Sequence, residues 1–216
     1  LNILISVIIT AYIYGKYIER SIRSCLDQTL DNSEYEIIVV NDCSTDFTSE
    51  ILKSYDSEIR IFNLKKNIGL SAARNFGVKQ SRGQFIVFLD ADDYLHSEIL
   101  RIEKLFLEEN NTLDAVSVDY YQVDERGSHK KYFKSELDPI ACGIMFRKDL
   151  LYDIGLYDEK FHAREEEELR VRFEKKYSIY NLSIPLYRYW IHNNNLTKNS
   201  SKMNYYKKKL IKKHGK

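Results

Sequence analysis

The stretch GQFIVFLDADDYLH, residues 83–96, sets an apolar run directly before three carboxylates. Residues 85–89 are all apolar and rich in the aromatic and β-branched side chains that favour strands. Asp90, Asp92 and Asp93 follow at once. The run predicts a buried strand that ends in a dense group of negative charges.

The three carboxylates have two interpretations. Acids this close together repel one another, and a divalent cation would offset the repulsion. Oxygen ligands without a nearby cluster of Cys or His favour Mg²⁺ or Mn²⁺ over zinc. The other interpretation is a charged turn in which Asp93 caps the next helix. The stretch alone leaves both open.

The residues around this stretch alternate between β-branched runs and amphipathic segments, which predict strands and helices respectively. Strands are predicted over 4–10, 36–41, 59–64 and 85–90, and helices over 17–28, 44–55 and 71–81. This alternation is typical of an α/β fold with a parallel sheet covered by helices. After residue 98 the pattern changes to a helix up to about 109, a strand over 114–123, a hairpin-like loop over 124–131 and a helix over 165–178.

Length and composition fit one globular domain, because the 216 residues are 44% hydrophobic. We expect a nucleotide-binding half over 1–97, an acceptor-binding half over 98–197 and a basic tail over 198–216. The 33 Lys and Arg nearly balance the 32 Asp and Glu, so the net charge does not favour a nucleic-acid partner.

The basic tail has two interpretations, because no acidic residue follows Glu174. It is either a solubilising or disordered end, or a contact with anionic lipid. The three cysteines lack metal-ligand spacing and indicate a reducing compartment, and no apolar run reaches membrane-spanning length. We therefore expect a cytoplasmic protein, with peripheral contact at the inner face of the membrane if the tail binds lipid.

Polar groups follow three of the predicted strands, at Thr10, Asn41 and Asp90. The carboxyl ends of parallel strands meet at one edge of a sheet, so these groups should converge on one crevice. A dehydrogenase would carry G-x-G-x-x-G after the first strand, where TAYIYGKY stands instead. A nucleotidyltransferase would need a glycine-rich basic loop, which the sequence lacks.

Several motifs in order resemble the family 2 glycosyltransferases of the GT-A fold. They are SVIITAYIYGKYIERSIRSCLDQTL (6–30), EIIVVNDCSTDFTSEIL (36–52) and NIGLSAARNFGVKQSRGQFIVFLDADDYL (67–95). The resemblance covers 5–94 and returns over 139–192. It implies a Rossmann-like, mostly parallel sheet and a metal-dependent, inverting transfer of a hexose or N-acetylhexosamine. The donor would be a nucleotide-diphosphate sugar, UDP-linked by preference, and the acceptor a hydroxyl of a glycan or a lipid-linked molecule. The alternatives are a nucleotide-sugar-binding protein without transferase activity, and a nucleotidyltransferase.

The resemblance implies donor-binding roles at the strand ends and before the third helix: Thr10, Ala11, Tyr12, Asp42, Gly69, Arg74, Asp90 and Ala91. Asp42 would accept from uracil N3–H, and Asp90 would face the ribose and the donor sugar. Arg74 would make a basic contact with the donor.

Three of these residues also have ordinary structural interpretations. Tyr12 can stack on a base, but it could equally be a core aromatic in a chain with 17 tyrosines. Gly69 lets the backbone approach the donor or simply turns the chain into a helix. Arg74 is otherwise a solvated helix residue.

The resemblance also implies the metal and acceptor residues. Asp92 would ligate Mn²⁺ or Mg²⁺ between the two phosphates, and His192 stands where the family often has a residue near the diphosphate and the metal. Asp93 would cap a helix or support these ligands. Gly143 would make a close backbone approach in the acceptor cleft.

The catalytic base is expected in HAREEEELRVRF, residues 162–173. Four consecutive glutamates cannot share one helical face, so one or two face the cleft and the others are solvated or complement the helix dipole. The family's acidic pair matches Glu165 and Glu166, which gives Glu166 the base position. The family usually has Asp there, and the register could shift to Glu165. Neighbouring acids raise proton affinity, which suits a group that removes a hydroxyl proton in a single inverting displacement.

Overall fold

The computed structural model describes residues 3–192, 195 and 198–215. The strands are β1 (Ile5–Ala11), β2 (Tyr35–Asn41), β3 (Arg60–Asn63), β4 (Phe85–Asp90), β5 (Tyr94–Leu95), β6 (Ala115–Val123), β7 (His129–Phe133), β8 (Ile144–Arg147) and β9 (Ile179–Trp190). The helices are α1 (Ile18–Leu26), α2 (Thr48–Lys53), α3 (Leu70–Gln80), α4 (Ile99–Glu109), α5 (Lys148–Asp153), α6 (Glu165–Phe173) and α7 (Ser200–His214).

The described strands form one sheet in the order β3-β2-β1-β4-β8-β6-β9-β5, with β7 paired to β6. The first four strands in this order are parallel to one another, and β8 is antiparallel to both β4 and β6. β9 returns parallel to β6. The predicted α/β architecture, a mostly parallel sheet flanked by helices, is confirmed.

The β-branched runs explain why the centre of the sheet is the core. All seven residues of β1 and of β2 are buried, and five of the six in β4 are buried. Helix α3 lies close against this layer at Gly77, where a Cβ would stand 2.5 Å from Ile8 Cγ2. A larger residue there would push the helix off the sheet.

The register of the central strands decides where their polar ends meet. Thr10 of β1 is paired with Asp90 of β4, and Ala11 is paired with Asn41 of β2. The three strands therefore end side by side, and the residues after them share one edge of the sheet, as the sequence predicts.

The basic tail is folded in its described part, so its interpretation as a disordered end is wrong there. Tyr206 and Leu210 of α7 are buried in a cluster with Phe161 and Ala163. Lys213 Nζ lies 2.6 Å from Glu168 Oε1 and 2.7 Å from Asp158 Oδ2. Among the residues described, no helix has the length and apolar character needed to cross a membrane.

Candidate active site

A cavity of about 990 Å³ opens at the carboxyl ends of β1, β2 and β4. Ten of the predicted site residues line it: Thr10, Ala11, Tyr12, Asp42, Gly69, Asp90, Ala91, Asp92, Glu165 and Glu166. Arg74, Gly143 and His192 are not part of its lining. Most of the predicted site residues therefore lie together around one cavity, and the three outside its lining contact other parts of the structure.

The predicted nucleoside end is held together by Asp42. Its two carboxylate oxygens accept the backbone N–H groups of Ile68, at 2.7 Å, and of Gly69, at 2.9 Å. Gly69 has a φ of +87° just before α3, a conformation that other residues avoid. Asp42 thus fixes the loop that lines the cavity, and its hydrogen bond to a base stays a prediction.

Tyr12 also lies at this end of the cavity. Its side chain is 44% exposed, so the alternative of a core aromatic is wrong. A half-exposed ring at a cavity wall is available to stack on a planar ligand.

Arg74 binds two carboxylates beneath the cavity. Nη2 lies 2.7 Å from Asp90 Oδ1, and Nη1 lies 3.0 Å from Glu165 Oε1. The arginine is only 1% exposed, so the alternative of a solvated helix residue is wrong. The predicted direct contact between Arg74 and the donor is wrong for this structure. The guanidinium is buried behind Asp90 and Glu165, which line the cavity.

Asp92 and His192 form a pair at the edge of the cavity. His192 Nε2 lies 2.7 Å from Asp92 Oδ2, and the imidazole stacks on Tyr17 with ring centroids 4.6 Å apart. Burial and the nearby charge of Asp90 raise the pKa of Asp92. A cation bound beside Asp92 would stabilise the charged form of this buried carboxylate.

The donor set of this pair fits a magnesium or manganese ion. No group of three or more His, Cys, Asp or Glu within the described ranges could hold a metal, so the protein would supply two ligands. Mg²⁺ typically binds one or two protein groups and completes its shell with substrate phosphates and water. The 2.7 Å between the oxygen and the nitrogen is a hydrogen-bond distance, and a cation bound to both atoms would take the place of the proton that they share.

Asp93 supports this pair and does not cap a helix. Its carboxylate accepts Tyr187 Oη–H at 2.6 Å and the backbone N–H of Trp190 at 2.7 Å. Helix α4 begins later, at Ile99. Burial, followed by the charges of Asp92 and Asp90, holds the pKa of Asp93 well above its usual range. Asp93 therefore ties β9 to the loop that carries Asp92.

The four glutamates of α6 have four different surroundings. Glu165 binds Arg74, Glu167 pairs with Arg164, and Glu168 is fully buried against Arg172 and Lys213. Glu167 lines the cavity together with Glu165 and Glu166, so the expectation that one or two glutamates face the cleft and the others are solvated is wrong. Glu166 lines the cavity and makes no hydrogen bond to another side chain of the described residues. Burial and the charge of Glu165 raise the pKa of Glu166 to about 8. Among these acids, Glu166 therefore has the properties of a proton acceptor.

Gly143 makes a close approach, but to Tyr187. It has a φ of +70°, and a Cβ would stand 3.1 Å from the ring of Tyr187. The neighbours Ile140, Ala141 and Cys142 line the cavity instead. The close approach predicted at Gly143 is therefore made to Tyr187, and a contact of this segment with an acceptor stays a prediction.

Two buried polar atoms on the cavity wall lack a hydrogen-bond partner among the residues described. They are Thr10 Oγ1 and Glu165 Oε2. Leaving a buried polar group unpaired costs about 1–3 kcal/mol, so such atoms are usually satisfied by a ligand or by water. Both would gain a partner from a hydroxyl-rich molecule in the cavity.

Sequence reasoning missed two residues that shape the site. The Arg20 guanidinium lies between the rings of Trp190 and Tyr94, at 3.9 and 4.4 Å, and donates to the Asp92 carbonyl at 3.3 Å. Asn195 donates to Asp92 Oδ2 at 3.3 Å. Their partners are 72 and 103 residues away in the chain, so no local pattern could have identified them.

The family model described as "Glycosyl transferase family 2" matches residues 6–165. This chain belongs to that family. Among its relatives, an uncharacterized glycosyltransferase of Rickettsia bellii is 34% identical over 176 residues, which are 75% of this chain and 25% of the relative. The poly(ribitol-phosphate) beta-N-acetylglucosaminyltransferase TarS of Staphylococcus aureus is 29% identical over 177 residues, which are 75% of this chain and 31% of TarS.

The solved structures agree with this family 2 assignment. TarS 1–349 in complex with UDP-GlcNAc superposes with a TM-score of 0.80 at 26% identity, covering 92% of this chain and 61% of that one. TarS 1–349 in complex with UDP gives a TM-score of 0.76. The GT-A fold is therefore confirmed, while this family 2 chain spans only 25–31% of the length of the curated relatives named above.

Proposed function

We propose that this chain is the transferase domain of an inverting enzyme that moves a sugar from a UDP-sugar to a hydroxyl of a glycan or lipid-linked acceptor. One observation carries the proposal: Glu166 and Asp92 line the same cavity of about 990 Å³. The first has the properties of a base, and the second belongs to a pair suited to a cation. The complexes of TarS with UDP and UDP-GlcNAc support a UDP-sugar as the donor.

The donor would occupy the end of the cavity nearest β1 and β2. Tyr12 would stack on the uracil, and Asp42 would accept its N3–H while keeping its two backbone hydrogen bonds. Asp90, held by Arg74, would face the ribose and the sugar. UDP-GlcNAc is the donor that we propose to test first.

Glu166 would carry out the proton transfer. Its pKa of about 8 lies close to physiological pH, where a base is both partly ionised and a strong acceptor. The acceptor hydroxyl would give its proton to Glu166 while its oxygen forms a bond to the anomeric carbon. The bond from that carbon to the diphosphate would break on the opposite face, which inverts the configuration and needs no covalent enzyme intermediate.

Asp92 and His192 would hold the divalent cation, Mn²⁺ or Mg²⁺. A cation bound there would supply Lewis-acid stabilisation of the charge that develops on the departing diphosphate. Arg20 and Asp93 would keep the loop that carries Asp92 in place, through the Asp92 carbonyl and through β9.

The test is UDP release from UDP-GlcNAc with Mn²⁺, compared between the wild type and two variants. Asp92→Asn and Glu166→Gln should each lower the rate by about 10²–10⁴-fold, because each removes a group that acts on the reacting atoms. Asp27→Asn and Glu174→Gln, at exposed positions away from the cavity, are the matched controls.

The result that would overturn the proposal is equal UDP release by the wild type and both site variants. UDP-GlcNAc that raises the unfolding temperature without any turnover would indicate a binding protein. Pyrophosphate release from a nucleoside triphosphate and a sugar 1-phosphate would indicate a nucleotidyltransferase.

A further inference from the structure

Asn195 lies on the cavity wall beside the Asp92–His192 pair, and neither the family resemblance nor the sequence pattern gives it a role. It is 8% exposed. Its Oδ1 accepts the backbone N–H of His192 at 2.6 Å. Its Nδ2 donates to the Trp190 carbonyl at 3.1 Å and to Asp92 Oδ2 at 3.3 Å. One amide thus bonds to three groups around the pair.

These bonds fix the backbone that carries the imidazole. The strand β9 ends at Trp190, and the Asn195 side chain bonds to the Trp190 carbonyl and to the His192 N–H just after it. The ring of His192 is then held by the stack on Tyr17, at 4.6 Å, and by an edge contact with Trp190, at 5.5 Å. Without the amide, the ring contacts would remain but the backbone of Trp190 and His192 would lose these two hydrogen bonds.

The same amide also acts on the carboxylate. Asp92 Oδ2 receives the Asn195 Nδ2 hydrogen bond and faces His192 Nε2 at 2.7 Å. A carboxylate oxygen has two lone pairs, so the amide can occupy one and leave the other directed towards the imidazole side. Outer partners of this kind orient metal ligands, and their loss typically weakens metal binding 10–100-fold.

We infer that Asn195 is a positioning residue that holds Asp92 Oδ2 and His192 Nε2 facing one another, so that both can ligate one divalent cation. The inference rests on the metal-assisted function proposed above. It makes Asn195, together with Trp190 and His192, part of the cation site, so that the backbone after β9 is as necessary for cation binding as the aspartate after β4.

The chain has its own reporter of cation binding. Trp190 is the sole tryptophan in the sequence, and its ring lies 5.5 Å from that of His192. A paramagnetic Mn²⁺ ion bound at the pair should therefore quench the Trp190 fluorescence. The quench can be titrated with Mn²⁺ in the presence of UDP, without any turnover.

The experiment compares the Mn²⁺ dissociation constant of the wild type with those of three variants. Asn195→Ala should raise the constant 10–100-fold. Asn195→Ser is the milder change, because its hydroxyl can still accept the His192 N–H, and it should raise the constant less. Asn181→Ala is the matched control: Asn181 is an amide of β9 whose Nδ2 bonds to the buried Asp119 at 3.1 Å, and its loss should leave the constant unchanged.

Each outcome decides one claim. Quenching in the wild type with equal constants in both Asn195 variants would overturn the role of Asn195 and leave the metal-assisted function intact. No quenching of the wild type by Mn²⁺ with UDP would overturn the metal-assisted function, and the inference would fall with it. A matching loss in Asn181→Ala would show that any loosened amide of β9 weakens the site, which would also overturn the specific role.

Discussion

At the scale of single residues, Glu165 and Glu166 are adjacent and identical, but their side chains have different ionic partners. Glu165 forms an ion pair with the buried Arg74, at 3.0 Å, whereas Glu166 makes no such ion pair among the described residues. Helical neighbours point about 100° apart, so only Glu165 reaches Arg74, although both glutamates line the cavity. The proposed base, Glu166, is the glutamate of the two that has no ion pair with Arg74.

The raised pKa of Glu166 predicts a pH dependence. A base works when deprotonated, so kcat/KM should rise about tenfold per pH unit at low pH and level off near pH 8. Burial raises this pKa most, and the charge of Glu165 adds to it. Glu165→Gln should therefore move the rising part of the kcat/KM profile to lower pH. A pH–rate profile of the wild type and this variant measures the shift, and an unmoved profile would contradict the account.

The buried Arg74 predicts a large effect on stability. Arg74→Ala would leave Asp90 and Glu165 without their shared cation, and breaking a buried pair costs about 3–5 kcal/mol. Urea unfolding should show a loss of this size in the free energy of unfolding. Arg101→Ala, which removes an exposed pair with Glu98, should cost less than about 1 kcal/mol. Equal losses would show that the two carboxylates do not depend on Arg74.

The sequence predicted which residues at the strand ends line the cavity, such as Tyr12, Asp42 and Asp90. It misplaced Arg74, because whether a helical arginine faces ligand or core depends on where two distant acids lie. It could not find Asn195, because the partner of its amide is a carboxylate in the distant turn after β4. A side chain that acts by holding a distant side chain leaves no pattern in the sequence around it.

At the scale of elements, the loop between β1 and α1 contains one residue in a backbone conformation that its side chain disfavours. Ile13 has a φ of +62° and is 48% exposed, with its N–H donated to Ser44 Oγ at 3.0 Å. A β-branched side chain in this region is a genuine outlier, and the left-handed conformation costs roughly 1–2 kcal/mol for most residues. The loop beside Tyr12 is therefore strained at one position.

Ile13→Asn should relieve this strain, because asparagine tolerates the left-handed region. We expect the free energy of unfolding to rise by about 1 kcal/mol in urea titration. The matched control is Ile211→Asn in α7, an isoleucine of similar exposure, 45%, within a helix. That change should not stabilise the protein. If both variants lose stability alike, the side chain of Ile13 makes contacts that outweigh its backbone.

The elements of the first half were predicted better than those of the second, for a physical reason. β1, β2 and β4 are buried on both faces and read as continuous apolar runs. β9 mixes exposed and buried residues, contains Pro185 and shifts register against β6, so its sequence resembles a loop. Helix α7 was not predicted, because its many lysines hide the helical spacing of the buried Tyr206 and Leu210.

At the scale of the whole molecule, one face of α7 points away from the body. Tyr206 and Leu210 are buried, while Tyr205 and Ile211 are 63% and 45% exposed between exposed lysines. Aromatic and aliphatic side chains flanked by lysines suit the surface of an anionic bilayer. Peripheral membrane contact therefore stays a prediction, with a folded helix face as its proposed carrier.

This prediction can be tested without deleting α7, whose packing against Phe161 contributes to the fold. Replacing Lys207, Lys208 and Lys212 by Gln should weaken binding to phosphatidylglycerol vesicles roughly 100-fold, at about 1 kcal/mol per lysine. The control variant changes three exposed lysines elsewhere to Gln: Lys53, Lys134 and Lys175. Equal binding by both variants, or equal binding to neutral vesicles, would contradict the prediction.

The most direct test of the central claim is a crystal structure with UDP and Mn²⁺, with the ion located by its anomalous signal. The account predicts a peak bonded to Asp92 Oδ2 and His192 Nε2, with both phosphates beside it and the uracil between Tyr12 and Asp42. UDP bound in the cavity with no ion at this pair, or an ion held elsewhere on the chain, would contradict it.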